Sequence, residues 1–159
     1  MKLITFTLKD APSIYGIGAV KNDKIIDFYS SNLPNDMINF IKLGDEGLKQ
    51  ASKIINLSND IYSFDEINIK APISVPNKIL AVGLNYRKHI DEAKEVTEHH
   101  SENVELQEQF PNIFNKQNSS VNDPYGDVHR PNASDWLDYE GELGIIIGKE
   151  CRHVTYENA

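Results

Sequence analysis

Two short segments concentrate side chains able to do metal or acid–base chemistry. The first is Asp138-Tyr139-Glu140-Gly141-Glu142-Leu143. In a strand, residues two apart share a face, so a strand here aims the carboxylates of Glu140 and Glu142 the same way. Leu143, Ile145 and Ile147 then point toward a core, and Gly144 leaves space beside the acids. Two converging carboxylates repel unless a cation lies between them, and hard oxygen donors suit Mg²⁺ or Mn²⁺. The competing reading is an edge strand with two solvated glutamates. The second segment runs from Gly83 to Glu92 and follows the apolar run Lys78–Leu84. Loops at strand ends are favoured places for catalytic groups. If residues 88–93 are helical, His89 and Glu92 are neighbours on one face, and a carboxylate beside an imidazole fixes its tautomer and raises its basicity. That pair is a base for activating water, set against the plainer reading of a surface histidine with a salt contact. Other candidates carry less. His99-His100 are adjacent and on a helix cannot easily share a metal. Cys151 defaults to a buried thiol, Trp136 to a packing anchor, and Lys116 to a surface lysine unless its strand passes the glutamates.

The elements that must hold these groups divide into a small leading module and an interrupted second one. Residues 1–7, 13–20 and 25–29 read as strands of a meander, with a turn at Lys21-Asn22-Asp23-Lys24. A helix is expected from Pro34-Asn35 to Gly44, and a second at about 46–57 with Leu48, Ala51 and Ile55 on one face. This module has no cluster of catalytic residue types. Gly16-x-Gly18 is no dinucleotide fingerprint, because Lys21 stands where the third glycine belongs. The Pro-punctuated stretch Ile69–Pro76 places a boundary at 70/71. Lys78–Leu84 and Leu143–Ile147 read as strands buried on both faces, and Val121–Arg130 as turn chemistry. Between Asp91 and Glu108 seven acids stand against one lysine, which marks a solvated helix or loop. Thr155 with Glu157 behind it reads as the start of a helix with no body, as expected of a fragment.

Composition narrows the function classes. The chain has 159 residues, 16 Lys and Arg against 24 Asp and Glu, a net charge of −8, and one cysteine. Neutralising phosphates needs a basic face, so no nucleic-acid partner is expected, nor an anionic membrane surface. One cysteine allows neither an intrachain disulfide nor a Cys-x-x-Cys zinc site. No stretch approaches ~18 apolar residues, and residues 1–20 lack a basic stretch followed by an apolar run. The expected location is cytoplasmic.

The order of motifs resembles the fumarylacetoacetate hydrolase family. The segments that carry the likeness are KILAVGLNYRKHIDEA (78–93), PNIFNKQNSSV (111–121) and DYEGELGIIIGKECRHVT (138–155). The resemblance implies an α+β protein. Residues 1–70 would be the N-terminal domain that many members carry. Residues 71–159 would be an incomplete catalytic domain, a truncated mixed β-roll. It implies Mg²⁺ or Mn²⁺ held by Glu140 and Glu142, with a third ligand beyond residue 159, and a water-polarising dyad of His89 and Glu92. Lys116 becomes a substrate-side contact. The implied substrates are 2-oxo and 1,3-diketo acids, cleaved as acylpyruvates are, in a protein that is a homodimer at full length. The alternatives on the same site are oxaloacetate decarboxylation, or isomerisation and hydration. A further alternative is an inactive fragment with no complete metal site.

Overall fold

A computed structural model describes residues 1–57, 61–96 and 110–159; the side chains of residues 92–96 lie outside the description. The chain forms two compact units. One comprises Met1–Ser74 with Asn122–Ala159, the other Val75–Val121.

The first unit is built on strands β1 (Lys2–Leu8), β2 (Tyr15–Lys21), β3 (Lys24–Asp27), β4 (Ile61–Ser63) and β5 (Ile67–Lys70), with helices α1 (Met37–Lys42) and α2 (Gly44–Leu57). The strands make one antiparallel sheet in the order β4-β3-β2-β1-β5. The two-residue period of a strand divides its side chains between two apolar layers. Ile17, Ala19 and Phe28 go to the side covered by Met37, Phe40 and Ala51 of the helices. Phe6, Ile25 and Ile67 gather on the other side with Ile4, Leu8 and Tyr62. The Phe28 and Phe40 rings, 5.9 Å between centroids, tie the sheet to α1. Asp36 caps α1 by accepting from the Asn39 backbone N–H at 2.9 Å, so the helix opens slightly later than Pro34-Asn35 suggested.

Two local features explain sequence choices. Asn22 and Asp23 have φ of 50° and 56° between the paired residues Lys21 and Lys24. Successive left-handed residues in a two-residue loop make a type I′ turn, which Asn and Asp tolerate. Gly18 is required by close approach, since a Cβ there would lie 2.5 Å from the Ile26 carbonyl oxygen. Substituting Gly18 by Ala is therefore expected to destabilise the unit by roughly 1–3 kcal/mol through overpacking, readable as a lowered urea midpoint at unchanged slope.

The second unit holds strands β6 (Ile79–Gly83) and β7 (Asn112–Lys116) and helix α3 (Arg87–Val96). β6 and β7 pair antiparallel, with Gly83 opposite Asn112 and Ile79 opposite Lys116. The strand falls where the apolar run placed it, but it is not buried on both faces: Leu80 is 63% exposed. Among the described residues this sheet has only the two strands, and the unit contains no second sheet to pack on it.

Residues 122–159 form turns and irregular backbone, with one 3₁₀ turn at Tyr156–Asn158. The strand expected at Leu143–Ile147 is not formed, and its apolar side chains are exposed. A strand needs a ladder partner for its backbone groups, and none of the described strands pairs with this segment. Trp136 is 91% exposed and anchors no packing, and Cys151 is exposed rather than buried. Thr155 does start a turn: its carbonyl accepts from the Asn158 N–H at 3.0 Å. Among the described residues no helix is long and apolar enough to cross a membrane. The fold is mixed α and β with antiparallel sheets.

Candidate active site

His89 owes its place to the end of β6. After Gly83 the chain turns through Leu84, whose φ of 50° is left-handed. A bulky residue pays roughly 1–2 kcal/mol for that conformation, and such outliers gather where surroundings impose them. The Ile90 N–H then donates to the Tyr86 carbonyl at 3.1 Å as α3 begins. His89 sits in the first turn of α3 and is exposed. Position 92 follows one helical turn later, at the spacing that faces residue 89. The Glu92 side chain itself lies outside the described residues, as do His99, His100 and the remainder of the acidic stretch 97–109.

Lys116 closes β7, and its ammonium stands 5.5 Å from the centroid of the Phe114 ring. Residues 114 and 116 share a strand face, and an ammonium over an aromatic ring is attractive. Lys116 is paired with Ile79, four ladder steps from Gly83, so its Cα lies ~13 Å along the strand from the point where the His89 segment leaves.

Glu140 and Glu142 belong to the other unit. Both are exposed, on backbone that belongs to no strand, so the strand expected to aim them together is not formed. Nearby, the Tyr139 N–H donates to the Asp138 carboxylate at 2.8 Å. The two glutamates match a divalent ion in kind, as hard oxygen donors. They fall short in number, because Mg²⁺ takes six near-octahedral ligands. Among the described residues no group of three or more His, Cys, Asp or Glu is placed to hold an ion.

One ionic contact was not legible beforehand. Asp123, in the turn after β7, accepts from the Lys70 ammonium at 2.8 Å and from the Ala71 N–H at 3.1 Å. The turn is tightened by the Asn122 amide, which donates to the Asp127 carbonyl at 2.9 Å, and by Gly126, where any Cβ would collide with the Asn122 side chain. The hydrogen bond from Lys70 holds the Asp123 carboxyl below the usual carboxylate range, against the opposing effect of burial. The same bond raises Lys70. A depressed acid contributes stability that is present above the ordinary carboxylate range and lost as pH falls through its lowered value. The raised lysine contributes below the ordinary lysine range and loses it as pH climbs through its raised value. The clasp is therefore expected to persist across the neutral range and to open only in strong acid or strong base. A carbon-13 NMR titration should give Asp123 a midpoint below that of a free aspartate. Only the local Asn-Asp-Pro turn signal pointed at this region; nothing in one sequence links positions 53 residues apart.

The family profile described as "Fumarylacetoacetate (FAA) hydrolase C-terminal" matches residues 78–159, just over half of the chain. The chain belongs to the fumarylacetoacetate hydrolase family. Similar curated proteins include the Dictyostelium discoideum "Fumarylacetoacetate hydrolase domain-containing protein 2 homolog", 32% identical across all of this chain and 50% of the relative. The Xenopus laevis "Oxaloacetate tautomerase fahd2, mitochondrial" is 33% identical across all of this chain and 48% of the relative. The Homo sapiens "Oxaloacetate tautomerase FAHD2B, mitochondrial" is 31% identical across 84% of this chain and 40% of the relative. The chain thus spans about half the length of the curated relatives it matches. The mitochondrial names overturn the cytoplasmic expectation. That expectation came from searching for a basic stretch followed by an apolar run, which reports on secretion. Mitochondrial leaders are amphipathic and Arg-rich instead.

Proposed function

We propose that the protein of which this chain is the N-terminal part is an enzyme acting on a small 2-oxo acid, oxaloacetate first, and that it interconverts keto and enol forms. The observation that carries this is the 33% identity, along all of this chain, to a relative named as an oxaloacetate tautomerase. In this reading residues 1–70 are an N-terminal domain and 71–159 the first part of a mixed β-roll catalytic domain.

The roles follow from chemistry. His89, on the exposed first turn of α3, takes a proton from C3 of the substrate onto an imidazole nitrogen; the C–H pair becomes the C2=C3 bond, the carbonyl π pair moves onto the 2-oxo oxygen, and that oxygen takes a proton from water, to which the imidazolium returns one. The reverse transfer returns the keto form. Glu92, one turn on, holds the imidazole in the tautomer whose free nitrogen faces substrate. Lys116 supplies a cation for a substrate carboxylate. Glu140 and Glu142 are two ligands of an Mg²⁺ or Mn²⁺ ion whose shell is completed by groups other than those described here. When bound, such an ion supplies Lewis-acid stabilisation of charge developing on a 2-oxo oxygen. Hydrolysis of acylpyruvate-type carbon–carbon bonds is the second reading, supported by the family description: the same base would deprotonate a water in place of C3. Decarboxylation of oxaloacetate is the third reaction that the site chemistry permits.

The test is to follow enol and keto oxaloacetate spectroscopically with the complete gene product, with and without EDTA, alongside an acylpyruvate. Accelerated keto–enol exchange abolished by EDTA is expected. Acylpyruvate cleavage without tautomerisation would favour the hydrolase, and neither activity would remove both readings.

A further inference from the structure

A cleft of about 520 Å³ runs along β5, and none of the residues lining it is among those given a catalytic, substrate or metal role above. Its volume lies within the ~300–1,000 Å³ typical of small-molecule sites. Its floor is β5, the last strand of the sheet, and its far wall is the turn that Asp123 fastens to Lys70 and Ala71. Phe64 and Tyr125 contribute aromatic side chains, the half-buried Ile69 aliphatic surface above the buried Ile67, and the exposed Lys9 lines the cleft as well. The charges are unequal in availability. Asp123 is the one acid among the described lining residues, and both of its oxygens are already engaged. Lys70 is spent on that same carboxylate. Lys9 forms no ion pair among the described residues, although the chain carries a net charge of −8.

We propose that this cleft binds a small organic anion with a flat apolar body, of which an aromatic carboxylate is the simplest example, with the anionic group on Lys9 and the ring between Phe64 and Tyr125. An exposed cation beside two aromatic side chains matches that pairing of charge and shape. A divalent cation does not fit, because the single carboxylate is already neutralised. An added peptide strand fits poorly as well. β5 is four residues long, and the N–H that follows it is taken by Asp123, so ladder extension would have to break the clasp.

The test is a nitrogen-15 NMR titration of the 159-residue chain with benzoate and, separately, with acetate. Benzoate is expected to give saturable shifts in the millimolar range at the Lys9, Asn68, Tyr125 and Gly126 amides, and acetate to bind several-fold more weakly. Lys9→Gln should weaken benzoate by about fivefold, the worth of one solvent-screened charge contact, and Tyr125→Ala should weaken it independently. Because both side chains are on the rim, the variants' spectra elsewhere should match the parent. Shifts that do not saturate, shifts that map outside the cleft, acetate binding as tightly as benzoate, or insensitivity to both substitutions would each overturn the proposal.

Discussion

Replacing Glu140 and Glu142 together by glutamine in the complete gene product should lower oxaloacetate turnover by on the order of a hundredfold or more. Even outer-shell partners of metal ligands are worth 10–100-fold, and direct ligands should be worth no less. Glutamine keeps the size and the acceptor oxygen and removes the charge that offsets a divalent ion. Both residues are exposed on backbone that makes no strand ladder, so the substitutions should leave stability nearly unchanged. A large loss of turnover, with melting temperatures that match when both proteins are measured without divalent ion, is the expected signature. Excess Mn²⁺ should restore part of the activity of each single variant, because weakened binding responds to concentration.

Substituting His89 by Ala should cost about 10²–10⁴-fold in kcat/KM, the usual worth of a positioned general base. Glu92→Gln should slow the reaction less, because it orients the base without being it. Divalent-ion affinity should be unchanged in both variants, which separates this prediction from the first. A His89→Ala enzyme retaining parental kcat/KM would show that the proton is moved by another group.

The parts of the fold legible in the sequence are those specified by nearby residues. Asn22-Asp23 announced its turn because those types tolerate the left-handed backbone found there. The segments 1–7, 13–20 and 25–29 were legible as strands, and their Phe6, Ile17 and Ile25 supply the two apolar layers of the sheet. Long-range dependence is where reading fails. Leu143–Ile147 has the composition of a buried strand, but burial needs a partner strand, and the described residues supply none. β6 was identifiable as a strand from its apolar run, while its exposure depends on what packs against it. The same holds for the candidate site. Residue types and spacing single out Glu140, Glu142, His89 and Glu92, whereas their mutual geometry depends on backbone pairing that no local pattern encodes. The Lys70–Asp123 clasp is an extreme case, since each partner alone reads as an ordinary polar surface residue.

The claim on which the rest depends is that Glu140 and Glu142 hold a divalent ion, and Mn²⁺ reports on this without any assay of activity. In an electron paramagnetic resonance titration, the complete gene product should deplete the free Mn²⁺ signal to a one-to-one endpoint. The Glu140→Gln/Glu142→Gln variant should leave that signal as it is in buffer. An identical endpoint and affinity in the double variant would contradict the account.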